Sequence, residues 1–565
     1  MFRIFTLCTL IILLSIQLIF GQPKSFTVTT DKVYLDALAS PFNTAKPGDT
    51  LIILAGQRNY LLIKNFQGLP DKPFIVVNKG GEVVIDTDHY YGIAIQNCRY
   101  IRLTGTGSSD FFYGFNIKRV ANGAGVGISD LTSDFEIDHV SIANCKIGGL
   151  YAKTDPDCAG KTTRDVFTQY NTVIHDNYIV DVADEGMYIG STKYYGQNVT
   201  CNGSSLLLMP SLLDGVKIYN NTIVRSGWDA IQVSSASKNC QIYNNTILYD
   251  SQEGTDTQKS GILIGGGSQC DCYNNFIANG KGDGIESLGL GGYKVYNNII
   301  LNPGFNYYPN DKTKPAHGIY VSDISVEKDS FFYVMHNTII NPKSDGIRFS
   351  STKSKYSIVS SNAIINPGNF DYYENGSTNY HGIDSYVMTE NAGTSITIRN
   401  NYFNRNLSSA GFEAVEPITS PKYFKLKYGS PLIDMADTDI KTSVSFDFLN
   451  AKRPNGVKSD IGAFEFDFST SIDVSGKNLY RQSELLQNPV KGILQIRLNS
   501  DVADRANLEI FNIQGVLVQQ PVKSDIFVGN NIIETNVPNL SSGVYFYVIR
   551  SDKYISTGKF LIHNY

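Results

Sequence analysis

From Val216 to Leu301 the chain alternates apolar and polar positions in short runs, and it repeats one phrase: "VKIYNNTIV", "CQIYNNTIL", "CDCYNNFIA" and "YKVYNNIIL". Each phrase carries an apolar residue, an aromatic, two asparagines and an aliphatic residue at matching places. Period-two alternation over four or five residues predicts short half-buried strands, and the paired asparagines predict a bend between two of them. Aligned on the second asparagine, the same slot recurs at Asn177, Asn221, Asn245, Asn275, Asn298, Asn337, Asn362 and Asn401, with spacings of 24, 30, 23 and 25 residues in the compact cases. About 23 residues suits one coil of three short strands joined by turns, and is too short for a propeller blade. Coils stacked about 4.8 Å apart place identical residues above one another. The second asparagine is therefore expected to bond the asparagines above and below it, with Ile223, Ile247 and Ile300 pointing inward.

A second phrase follows each first one, as in "GGLYAK" from Gly148, "EGMYIGS" from Glu185, "DAIQVSS" from Asp229, "DGIESLG" from Asp283, "HGIYVSD" from His317 and "HGIDSY" from His381. Alternation puts its aliphatic residue inward and predicts an outward column of Tyr151, Tyr188, Gln232, Leu263, Glu286, Tyr320, Arg348 and Asp384. The turn entering that column carries Glu185, Asp229, Asp283, His317, Asp345 and His381. The whole pattern predicts an all-β chain: a parallel β-helix over residues 22–467, a polar linker over 468–477, and a small β-sandwich over 478–565, where the alternation changes to longer strands.

Composition narrows the function. The net charge of −5 is spread along the chain, without the basic runs that attract nucleic acid. Arg3 and the apolar run Leu7 to Phe20 read as a signal peptide ending near residue 21, too short to span a bilayer. Export permits disulfides, and Cys158 and Cys201, both in polar insertions, are the expected pair; the remaining cysteines lie inside the repeat and are expected to serve as packing residues.

The coil pattern, together with "AKPGDTLIILAGQRNY", "LPDKPFIVVNKGGEVVI" and the closing phrases "GSPLIDMADTDI" and "AKRPNGVKSDIGAFEF" over 420–467, resembles the right-handed parallel β-helix proteins of the pectate-lyase-like superfamily. That resemblance implies a groove presented to polysaccharide. The tail resembles the C-terminal sorting domain of the type IX secretion system, through Asn488-Pro489, Gly492, "IFNIQG" and "LSSGVY". It implies contact with the secretion machinery and a secreted or surface-attached product; a monomer is expected.

β-Elimination on an acidic glycan needs a base and a cation such as calcium held by carboxylates; hydrolysis needs paired carboxylates. The richest cluster of suitable residues lies over the early and middle coils. Lys153, Glu185 and Asp229 are the expected catalytic groups, Tyr151, Tyr188, Trp228, Gln232 and Glu286 the expected substrate contacts, and Asp155, Asp184 and Asp283 the expected calcium ligands. Insertions at 154–169 and 191–213 flank one coil and are placed to wall a groove. A polysaccharide lyase is the leading expectation, with a glycoside hydrolase or a non-catalytic glycan-binding surface protein as alternatives. The hydrolase and lyase signatures of the superfamily are absent, so the resemblance transfers no catalytic set.

Overall fold

The computed structural model describes residues 23–305, 314–368, 382–389, 396–467, 479–480, 483–500, 502–513, 516–551 and 554–563. The expected signal peptide, His381 and the expected linker lie outside them. The chain divides into two units, Met1–Phe466 and Asp467–Tyr565.

In the first unit, three inward columns line the coil interior. On one sheet Ile137, Ile174, Ile218, Ile242, Cys272, Val295, Val334 and Val359 stack in parallel register. After the asparagine bend, Ile142, Ile179, Ile223, Ile247, Ile277, Ile300, Ile339 and Ile364 do the same. The third column runs Leu150, Met187, Ile231, Ile262, Ile285, Ile319 and Ile347 on a twelve-stranded sheet. Most are wholly excluded from solvent, and each buried aliphatic contributes about 1.5–3 kcal/mol.

The doubled asparagine divides its work. The first adopts the left-handed backbone, at φ of 55° in Asn220 and Asn244, 54° in Asn274 and 53° in Asn297, a conformation asparagine tolerates better than most residues. The second turns inward and forms the ladder. The Nδ2 of Asn245 donates to Oδ1 of Asn275 at 3.0 Å, to its own turn at Tyr243 and to the Ile218 carbonyl, and the pattern runs unbroken from Asn177 to Asn401.

Two expectations need correction. The outward column runs from Tyr151 to Arg348 as expected, but its next member is Met388, in strand Val387–Met388, and Asp384 lies in the 3-10 helix Gly382–Ser385. Ile383 is 67% exposed, so "HGIDSY" is not a coil phrase, and the carbonyl that Gly346 N–H bonds is that of Ser385. The second correction concerns cysteines. Cys240 and Cys270 face each other in register on adjacent coils and form a disulfide. Spacing hid this, because the loop between these coils enlarges their separation to 30 residues. Cys98, Cys145 and Cys272 are free and buried, as packing residues should be.

The closing segment lies along the outside of the coils. Phe412, Phe424, Leu426, Leu432, Ile461 and Phe464 pack on the outward residues Phe276, Ile299, Leu301, Ile340 and Ile365. The second unit is a pair of sheets of five and three strands, antiparallel except where Leu479–Tyr480 joins Tyr554–Ile562 in parallel, around Leu494, Ile496, Leu508, Ile510, Tyr547, Ile549 and Phe560.

Candidate functional site

Strands Leu150–Ala152 and Met187–Ile189 set Tyr151 and Tyr188 side by side, their rings 5.3 Å apart at 83°. Glu185 occupies the turn that enters the second of these strands. It is 2% exposed and accepts a hydrogen bond from the Tyr151 hydroxyl at 2.6 Å. Burial raises the Glu185 pKa, opposed by that bond and by the charge of Lys153. Burial, with the neighbouring Glu185 charge, also raises that of Tyr151, so the phenol keeps its proton. Lys153 continues the Tyr151 strand; its Nζ lies 5.0 Å from the centre of the Tyr188 ring and 3.2 Å from Asp155. Four expected residues, Tyr151, Lys153, Glu185 and Tyr188, thus meet at one place, with Asp155 at its rim.

A cavity of about 340 Å³ opens there, lined by Gly127, Tyr151, Lys153, Asp155, Asp157 and Thr162. The two insertions are bound to one another beside it. A disulfide joins Cys158 to Cys201, Arg164 stacks on Tyr194 and its amide bonds the Met209 carbonyl, and the second insertion carries the hairpin Gln197–Cys201 and Ser204–Leu208.

The column continues away from this cleft. Asp229 is fully buried, accepts from the amide and hydroxyl of Ser260 at 2.7 and 2.6 Å, and has a pKa raised well above the carboxylate range by burial and by the charges of Glu286 and Glu185. Gln232 is fully buried between Tyr188 and Leu263. Glu286 lies two coils further along, about 10 Å from Gln232 by strand spacing, and burial, with Asp283 nearby, pushes its carboxyl up to about 8. Because folded Glu286 binds its proton more tightly than the unfolded chain, the stability it contributes is complete below about pH 4.5 and is lost as pH rises through about 8. Glu286→Gln, neutral throughout, is expected to flatten that decline in thermal melts taken across the range.

The expected calcium ligands do not converge. Asp155 lies beside Lys153, Asp184 faces Lys146 and Glu253, and Asp283 accepts the backbone N–H of His317. Side chains outside the strands, or at their first residue as at Asp283, leave a coil in directions that strand periodicity does not fix. Trp228 is also in a turn rather than the column, half-buried, with its amide bonded to the Asp184 carbonyl.

Sequence reasoning missed several groups. Ser260 fills the turn slot between Asp229 and Asp283 and serves as the Asp229 partner. On another sheet Glu136, Asp138 and His175 approach closely, with Arg102 2.8 Å from Asp138 and His175 bonded to Glu136 and Asp176. From His175 a row of parallel rings runs through Tyr219, Tyr243, Tyr273 and Tyr296, 4.6 to 5.0 Å apart. The repeated tyrosine of the opening phrase was the available signal for that row.

Comparison with known proteins agrees with the architecture. Residues 212–387 match the family described as right handed beta helix region, and residues 487–563 match the secretion system C-terminal sorting domain. No curated protein matches the chain. Similar solved structures include "The complex structure of XylC with xylose", at 11% identity and a TM-score of 0.31, covering 89% of this chain and 99% of that one. Another is "Crystal structure of Bacteriophage CBA120 tailspike protein 4 enzymatically active domain", at 10% identity and a TM-score of 0.20, covering 91% of this chain and 64% of that one. Likenesses this distant carry no argument about chemistry.

Proposed function

We propose that this right-handed parallel β-helix, which ends in a type IX sorting domain and is exported to the cell surface or the medium, cleaves a glycan by hydrolysis in the cleft beside Tyr151. The observation that carries the reading is the buried Glu185 carboxyl, held by the hydroxyl of Tyr151, a residue that lines an open cavity together with Lys153 and Asp155. A carboxyl raised by burial is suited to protonate a glycosidic oxygen. Asp155, exposed and paired with Lys153, is the carboxylate positioned to activate water, and the Tyr188 ring offers an apolar face to a sugar.

Elimination is the second reading, and the position of Lys153 over Tyr188 favours it: Lys153 would take the proton and Tyr151 would return one to the leaving oxygen. It is the weaker of the two. Elimination requires cations to neutralise a uronate carboxylate, and Lys153 is already paired with Asp155 beside the Glu185 carboxyl.

The test is to incubate the exported chain with neutral and acidic polysaccharides, reading new reducing ends together with the ultraviolet absorbance of unsaturated uronate products. Reducing ends without that absorbance support hydrolysis. Absorbance that requires Lys153 supports elimination, and neither signal on any substrate removes both readings.

A further inference from the structure

Among the described residues, polar atoms of the coil through strand Ile231–Val233 have no partner. Gln232 is fully buried in the outward column, and neither its amide nitrogen nor its carbonyl oxygen is hydrogen-bonded. At the turn entering the same strand, Asp229 uses Oδ1 on Ser260 and leaves Oδ2 open. Their column neighbours are engaged: Tyr151 with Glu185, and Tyr188 with Thr192 at 2.9 Å. A buried amide with both ends empty is costly, and such groups persist where something outside the resting fold completes them.

We propose that Gln232 and Asp229 form a receptor for neighbouring hydroxyls of a neutral sugar residue, one coil along from the cleaving cleft. The inference rests on the hydrolytic reading for its purpose. The chemistry matches a vicinal diol. The amide nitrogen donates to one hydroxyl oxygen, the amide oxygen accepts the proton of the next, and Oδ2 of Asp229 exchanges a hydrogen bond with either. A uronate fits badly, because it would bring an ionised carboxylate into a buried place where burial and the nearby Glu286 and Glu185 already press Asp229 to keep its proton. The receptor is closed in the free protein. Gln232 is fully covered and Leu263 beside it is 5% exposed, so binding includes displacement of that cover.

The test uses the full exported chain carrying Glu185→Gln, so that ligand survives, titrated calorimetrically with β-1,4-linked hexasaccharides of xylose, glucose and mannose, and with hexagalacturonate as the acidic probe. At least one neutral hexasaccharide is expected to bind and hexagalacturonate is not. Adding Gln232→Leu is expected to weaken that binding about tenfold or more without lowering the melting temperature, since an apolar side chain of similar size removes the open amide. The proposal is overturned if no neutral member binds, if hexagalacturonate binds more tightly, or if Gln232→Leu binds as well as its parent, the result expected of an amide satisfied by water alone. Cleavage by the wild type that ignores Gln232 leaves hydrolysis standing and removes the receptor. Binding that needs Gln232 without cleavage by the wild type does the reverse.

Discussion

Asn298→Ala is expected to lower stability by about 3 kcal/mol, far more than its single side chain suggests. The Oδ1 of Asn298 accepts both the backbone N–H and the side-chain amide of Asn275, at 3.1 and 2.9 Å, and its own Nδ2 bonds the Cys272 carbonyl and Asn337 Oδ1 at 3.0 Å each. Alanine leaves the Asn275 backbone N–H buried without an acceptor and opens a gap in a closely packed interior. Asn298→Asp keeps the acceptor but turns a carboxyl oxygen toward the Cys272 carbonyl and Asn337 Oδ1 in a buried site, so it should cost at least as much as alanine near neutral pH. Asn244→Gly, at a left-handed position where the side chain is not needed for the conformation, is expected to change little. Denaturant melts rank the three. Amide exchange should place the first loss of protection for Asn298→Ala at Asn275, because each coil depends on its neighbours. Equal effects of Asn298→Ala and Asn244→Gly would contradict this division of work.

Glu185→Gln is expected to reduce turnover about a thousandfold while leaving the melting temperature close to wild type. Glutamine keeps the Tyr151 hydrogen bond and removes the proton to be transferred. The pH profile gives the sharper test. A general acid works while protonated, so activity should fall as pH rises through the raised Glu185 value. Burial raises it, whereas the Tyr151 bond and the Lys153 charge lower it, so Tyr151→Phe and Lys153→Ala should each move the falling limb to higher pH while retaining measurable turnover. If Lys153→Ala instead abolishes all product, Lys153 is the reacting base and elimination replaces hydrolysis.

The coil, the ladder and most of the outward column were legible because repetition converts sequence spacing directly into register: Tyr188 above Tyr151 and Gln232 above Tyr188 follow once one asparagine is aligned. Where repetition ends, legibility ends with it. "HGIDSY" keeps the letters of a coil phrase, yet the next strand begins at Val387, and nothing in the letters marks the shift. The cleft itself was half legible. Tyr151 and Tyr188 follow from the strand period, but Asp155 and Asp184 lie outside strands and Asp283 stands at the very start of one, places whose side-chain directions depend on local geometry, and they part company. The Cys240–Cys270 bond needed the register across an enlarged loop, which spacing alone conceals.

The asparagine ladder also has a direction. Between one asparagine and the next, the backbone N–H and the side-chain amide are both given forward, from Asn177 to Asn221 and onward to Asn401, while the same amide also reaches back to a main-chain carbonyl of the preceding coil. A half-built solenoid therefore always ends in an unspent donor on the side from which the rest of the chain arrives. The ladder is polar in this sense, with its open end facing the C-terminal coils. Accretion stops at Asn401, where the flanking Arg399 and Asn400 commit themselves to Asp437, Asp439 and the Met435 carbonyl of the closing segment.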